Sequence, residues 1–197
     1  MKANHHYLNN LELEEKIKDI LDVSGHINGQ RRFPVGRMHF GNVSAGFASC
    51  EMIAVFNVLH DLGKDKRLSE IIYHGETNGY MLAGGFFGTK IYKIGKILEK
   101  YDVAYEREKV AAFIANATEG NYKDGQIFIT TIRTRTDVPI SHIHTFEMVH
   151  YRGHWVVYNR FDRDEGPSIY GNIFDVLKNG GYTGAYMAIY KIIDTEN

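Results

Sequence analysis

The chain has 197 residues, of which 44% are hydrophobic and 13% aromatic. That is ample material for a packed core and argues against disorder. A formal net charge of -1 with the charges spread along the chain gives no electrostatic footprint for nucleic acid or an anionic membrane, so neither is expected as a partner. The opening MKANHHYLNNLELEEKIKD lacks the apolar run of a secretory signal, and no apolar stretch approaches the length of a membrane span,. The single cysteine excludes an intrachain disulfide and a cysteine-rich zinc framework. Together these lead to the expectation of a cytoplasmic protein.

In chain order, Asn9 or Asn10 is placed to cap a first helix on which Leu11, Leu13, Ile17, Ile20 and Leu21 recur at helical spacing, ending near Ser24 and Gly25,. Residues 24–48 are glycine-rich, contain Pro34 and show no period, which predicts a long loop,. From Cys50 to Leu62 the chain is apolar almost all round, with Gly63 placed as a stop. This predicts a central buried helix that begins at the lone cysteine, with Asn57 as a hydrogen-bonded core residue,. A short helix is expected at Leu68–Tyr73 and another from about Thr89 to Tyr101.

Beyond residue 103 the character changes. VAYE, QIFITTIRT, HTFEMVHY, HWVVYNRF and AYMAIYKII are rich in β-branched and aromatic residues and predict strands, with short helical stretches at about 107–117 and 170–178,. Helices followed by antiparallel strands predict an α+β fold, read as one domain over 1–197 with a helical part at about 1–102 and a sheet part at about 103–197. The long loop 24–48 and the region Gly79–Gly88 are expected to wall a cleft between them.

The stretch HTFEMVHYRGHWVVYNRF predicts a hairpin turning at Arg152-Gly153,. A two-residue or four-residue turn pairs Tyr151 with His154, His150 with Trp155, Met148 with Val157 and Phe146 with Asn159. His144 and Asn159 then become diagonal neighbours on one face, whereas a three-residue turn would separate them. The helix start carries unpaired N–H groups and partial positive charge, which favour a thiolate at Cys50. An imidazole can take the thiol proton, and an amide can orient that imidazole. His142 and His150 share the face of His144 and are alternative bases. His142-x-His144 with His150 and His154 nearby is also compatible with a metal site, but no H-E-x-x-H motif or clustered cysteines supply the further ligands.

SCEMIAVFNVLHDLG followed by HTFEMVHYRGHWVVYNRFD resembles the papain-like cysteine peptidase superfamily, especially compact bacterial members akin to the double-glycine leader peptidases. GGFFGTKIYKIGKILEKYDV resembles the glycine-led second helix of that group. The resemblance implies a papain-like fold and a thiol hydrolase that cleaves a peptide or amide bond through a thioester, with Cys50 as nucleophile, His144 as base, Asn159 as orienting residue and no cofactor. The same fold also supports acyl transfer, deamidation or a catalytically silent binding domain. The resemblance further implies a glutamine about six residues before the cysteine as oxyanion donor. Here that position is Ser44, with Asn42 two residues earlier, and these two are the sequence candidates for the role,. The glycine that usually follows the cysteine is replaced by Glu51.

Overall fold

The computed structural model describes residues 2–137 and 142–193. The fold is α+β: helices dominate the first half, and an antiparallel sheet organises the second. The elements in chain order are α1 (Lys2–Glu14), β1 (His39–Phe40), β2 (Val43–Ser44), α2 (Ala45–Ala48), α3 (Cys50–Asp61), α4 (Leu68–Thr77), α5 (Ile94–Lys100), β3 (Tyr105–Glu108) and α6 (Val110–Glu119). They continue as β4 (Gln126–Arg133), β5 (Ile143–Tyr151), β6 (His154–Tyr158), β7 (Ser168–Tyr170), α7 (Ile173–Val176), β8 (Lys178–Asn179), β9 (Tyr182–Thr183) and β10 (Ala185–Ile192). None of the described helices is long and apolar enough to cross a membrane.

The central sheet has the order β3-β10-β4-β5-β6-β7, and every neighbouring pair is antiparallel. Side-chain alternation gives it two covered faces. On one face Ile129, Ala188, Tyr190 and Ile192 join the apolar side of α3, where Met52, Ile53, Val55, Val58 and Leu59 are fully buried. The other face carries Phe128, Phe146, Met148, Trp155 and Ile189, packed against Phe113 of α6 and Ile173 and Val176 of α7. An all-round apolar sequence at 50–62 is thus explained by position: α3 lies between the sheet and the α4 and α5 layer, and little of its surface meets water,.

The hairpin follows its expected register. Tyr151 pairs with His154, His150 with Trp155 and Met148 with Val157, around a two-residue turn in which Arg152 and Gly153 both have positive φ, at 50° and 74°. Such a turn matches the twist of the flanking strands, and its glycine accepts the left-handed conformation without steric cost.

The first helix differs from its expectation. It spans Lys2–Glu14 rather than running from a cap at Asn9 or Asn10 to near Ser24 and Gly25, because the face it buries is polar. His6 lies 3.0 Å from Glu76 Oε1, Asn10 exchanges hydrogen bonds with the main chain of His39, and Glu14 accepts from Leu68 and Ser69 at the start of α4. Apolar periodicity does not reveal a helix docked through an i, i+4, i+8 row of polar groups. The Leu68 helix runs on to Thr77, the helix expected from Thr89 begins as a single 3-10 turn at Ile91–Lys93, and the 24–48 loop contains β1, β2 and α2.

The segment 22–31 belongs to no helix or extended strand, with only an isolated bridge from Ile27 to Leu21, yet its residues His26–Gln30 are buried. Asn57 of α3 acts in place of a strand: its Oδ1 accepts from Ile27 N at 2.9 Å and its Nδ2 donates to Ile27 O at 3.1 Å. Replacing Asn57 with Ala would leave both buried main-chain groups of Ile27 unpaired. Asn57→Ala is expected to lower the urea unfolding free energy by about 2–4 kcal/mol, well above the effect of a surface substitution.

Candidate functional site

Cys50 is the first residue of α3, in the turn whose N–H groups have no acceptor within the helix,. It lines a cavity of about 240 Å³ together with Gln30 and Phe47 from the preceding segment, His142 and His144 at the start of β5, and Arg160 and Asp162 after β6. Three distant parts of the chain therefore line one cavity. The Gly79–Gly88 region, expected to wall the cleft, does not line this cavity; Gly88 lies near Glu51 and Gly84 near Asn42. A larger cavity, about 930 Å³, lies between Tyr7, Glu70, His74 and Lys100 and contains neither Cys50 nor His144.

His144 is buried, and its Nε2 lies 2.7 Å from the main-chain oxygen of Asn159. A carbonyl only accepts, so Nε2 carries the proton and Nδ1 keeps the lone pair. That leaves Nδ1 as the basic nitrogen of the ring. Burial pushes the His144 pKa down to about 4, against the raising effect of the Asn159 carbonyl, with Arg160 adding to the depression. The ring is neutral at pH 7.

Asn159 meets His144, but not through the amide that the sequence expectation assigns to it. The residue lies just past the end of β6 with φ of 56°, which breaks the two-residue alternation and turns its amide away from the imidazole. Its Oδ1 accepts from Gln30 N at 3.0 Å and its Nδ2 donates to Gln30 Oε1 at 3.2 Å. The His144 contact is made by its backbone carbonyl instead.

Neither of the two sequence candidates for the oxyanion role lines the Cys50 cavity. Asn42 sits in the β1–β2 turn with its side chain against Lys2 and Gly84, and it does not line the Cys50 cavity. Ser44 is the residue before α2 and faces a separate recess near Arg31 and Arg163. The glutamine at the cavity is Gln30, twenty positions before Cys50 in sequence. Its Nε2 donates one hydrogen to Gly46 O at 3.2 Å and has a second to give,. Gly46 permits this approach, because a Cβ there would lie 2.7 Å from Gly36 Cα and 2.9 Å from Gln30 O. The signal for Gln30 was present only as a lone glutamine in a polar loop, separated from the cysteine by the β1–β2 excursion.

The thiol rests in a neutral state. Burial raises the Cys50 pKa well above its ordinary value and the Glu51 charge raises it further, outweighing the main-chain and hydroxyl groups of Thr145, which favour the thiolate. Its Sγ donates to Glu51 Oε2 at 3.3 Å, and no hydrogen bond joins it to His144. Glu51 is itself buried, which pushes its carboxyl up to about 7 against several stabilising hydrogen bonds. His150 and His154, the other histidines of the hairpin, bond the main-chain oxygens of Lys123 and Arg152 and do not assemble with His144 into a ligand set.

No protein-family model matches the chain, and no curated protein matches its sequence.

Glu51 and His144 load the fold in opposite directions. Glu51 holds its proton more tightly folded than unfolded, so its contribution to stability declines as pH rises from about 4.5 to 7,. His144 holds its proton less tightly folded, so its contribution declines as pH falls from about 6.5 to 4,. Glu51→Gln removes the first effect alone. The variant is expected to exceed the wild type in unfolding free energy by on the order of 3 kcal/mol above pH 7, with the advantage shrinking towards pH 4.5. Denaturant melts across that range check this; a pH-independent difference would contradict it.

Proposed function

We propose that the chain is a cysteine-dependent hydrolase of papain-like architecture that cleaves a peptide or amide bond through a thioester. The observation that carries this reading is the convergence of Cys50, His144 and Gln30 on one cavity from three separate parts of the chain. They are a nucleophile at a helix start, an imidazole in the basic-Nδ1 tautomer and an amide with a hydrogen to donate.

In this reading the substrate carbonyl enters the cavity and the thiol leaves Glu51 to give its proton to His144 Nδ1. Sγ attacks the carbonyl carbon, and the oxyanion accepts hydrogen bonds from the Cys50 N–H and from Gln30 Nε2. The imidazolium is steadied by its Nε2–H bond to the Asn159 carbonyl, then protonates the departing amine. Water, with His144 again as base, attacks the thioester and releases the acid and the thiol. Acyl transfer to an amine would use the same thioester with a different second acceptor. A lone thiol fits a reducing compartment such as the cytoplasm, where it stays free.

The Cys50–Glu51 hydrogen bond favours a second reading, a silent binding domain on the same scaffold, because it stabilises the unreactive thiol. One experiment separates the two. With a single cysteine, intact-mass labelling by a peptidyl acyloxymethyl ketone reports Cys50 alone. The hydrolase reading predicts one adduct on the native protein, slowed at least tenfold in His144→Ala, while Glu51→Gln labels faster than wild type. Adduct formation only after unfolding would support the silent domain. On a fluorogenic peptide amide that the wild type turns over, Gln30→Ala is expected to lower kcat about a hundredfold.

A further inference from the structure

At the opposite end of α3 from Cys50, His26, Asp61 and Glu147 bring one nitrogen and two carboxylates together, with the three donor atoms all within 4.8 Å of one another. His26 Nε2 lies 2.8 Å from Asp61 Oδ1 and 3.7 Å from Glu147 Oε2. His26 and Glu147 are buried, and Asp61, the last residue of α3, reaches partial exposure at its side chain.

Glu147 is the anomaly. It is fully buried in β5, on the face that receives α3, and neither of its carboxylate oxygens has a hydrogen-bond partner among the described residues. Buried carboxylates without partners are strongly disfavoured, and their presence asks for a ligand or a proton. No lysine or arginine makes a salt bridge to Asp22, Asp61 or Glu147 among the described residues.

The tautomer of His26 sharpens the case. Ser24 Oγ gives its only hydrogen to Asp22 Oδ1 at 2.7 Å, so its 3.0 Å contact with His26 Nδ1 requires that ring nitrogen to be the donor,. In the neutral ring the lone pair is therefore on Nε2, the atom nearest the two carboxylates, and it is without a hydrogen-bond partner. The Asp61 approach lacks hydrogen-bond alignment. An imidazole held at Nδ1 by an outer partner, with Nε2 turned to carboxylates, is how histidine ligands are normally fixed. The ring is held in plane as well, stacked on Tyr158 at 3.7 Å between centroids with His60 edge-on at 5.3 Å.

We propose that His26, Asp61 and Glu147 form a structural site for a divalent transition-metal ion, zinc being the best match. One imidazole and two carboxylates suit such an ion, with water completing its shell, better than they suit magnesium or calcium. Bonds of about 2.0–2.1 Å around a tetrahedral ion place neighbouring donor atoms about 3.3 Å apart, within the span seen here. The site also lies at the C-terminus of a twelve-residue helix, where partial negative charge favours a cation,. Metal would tie the 22–31 segment, α3 and β5 together at one point.

The test is titration of the EDTA-treated, dialysed full chain with Zn²⁺ by calorimetry, with melting curves in parallel and Co²⁺ as a spectroscopic probe. The proposal predicts one high-affinity equivalent, a rise in Tm on adding Zn²⁺ and a tetrahedral Co²⁺ spectrum. Glu147→Gln should lose affinity at least tenfold and lose the metal-dependent rise in Tm. Asp61→Asn, a change at a partly exposed position that should leave folding intact, should weaken binding similarly even if Glu147→Gln does not fold. Absence of binding by the wild type would overturn the proposal and leave a proton shared among the three groups. Binding that persists unchanged in both variants would also overturn it, by placing the metal elsewhere.

Discussion

The amide of Asn57, clasping both main-chain groups of Ile27 from inside the central helix, is the contact on which the rest of the arrangement depends. It holds a segment without regular structure against a buried helix, where every polar group must find a partner. Asn159 and Asn28 repeat the device further along: Asn28 Oδ1 accepts from Asn159 N at 2.8 Å, and Asn28 Nδ2 donates to Asp22 Oδ2 at 2.7 Å. Three buried asparagines thus replace a missing strand. The same segment brings His26 to one end of α3 and Gln30 to the other.

At the Cys50 end, electrostatics and geometry favour different states. The helix start, the Thr145 groups and the His144 tautomer all suit a thiolate acting beside an imidazole. Burial and Glu51 hold the proton on sulfur. A site of this kind keeps a nucleophile unreactive until something displaces the Glu51 contact, and a carbonyl group entering the cavity is the natural agent in the hydrolase reading. With the Glu51 carboxyl near 7, that restraint weakens as the carboxyl is protonated.

Where a single local rule governs, the sequence was informative. The hairpin register follows from Arg152-Gly153 and strict alternation, and the central helix from a run too apolar to be anywhere but inside. That Cys50 and His144 share a cavity lies beyond those two rules; in the sequence only the resemblance to papain-like peptidases implied it. The rules fail where polar groups replace apolar ones in the interior. The packed face of α1 is His6, Asn10 and Glu14, which hydropathy reads as solvent. The φ of Asn159 reverses its side chain one residue after the ladder ends. Gln30 bonds Gly46 O and lines the Cys50 cavity from across the β1–β2 excursion, so its sequence distance conceals its spatial one.

The central claim is that Gln30 and the Cys50 N–H stand where an oxyanion would form. A crystal structure of the full chain treated with a peptide aldehyde tests it most directly. The account predicts a thiohemiacetal on Cys50 whose oxygen accepts hydrogen bonds from Gln30 Nε2 and the Cys50 main chain, with the sulfur no longer bonded to Glu51. An adduct oxygen directed elsewhere, or a Cys50 still bonded to Glu51 and unmodified at saturating aldehyde, would contradict it.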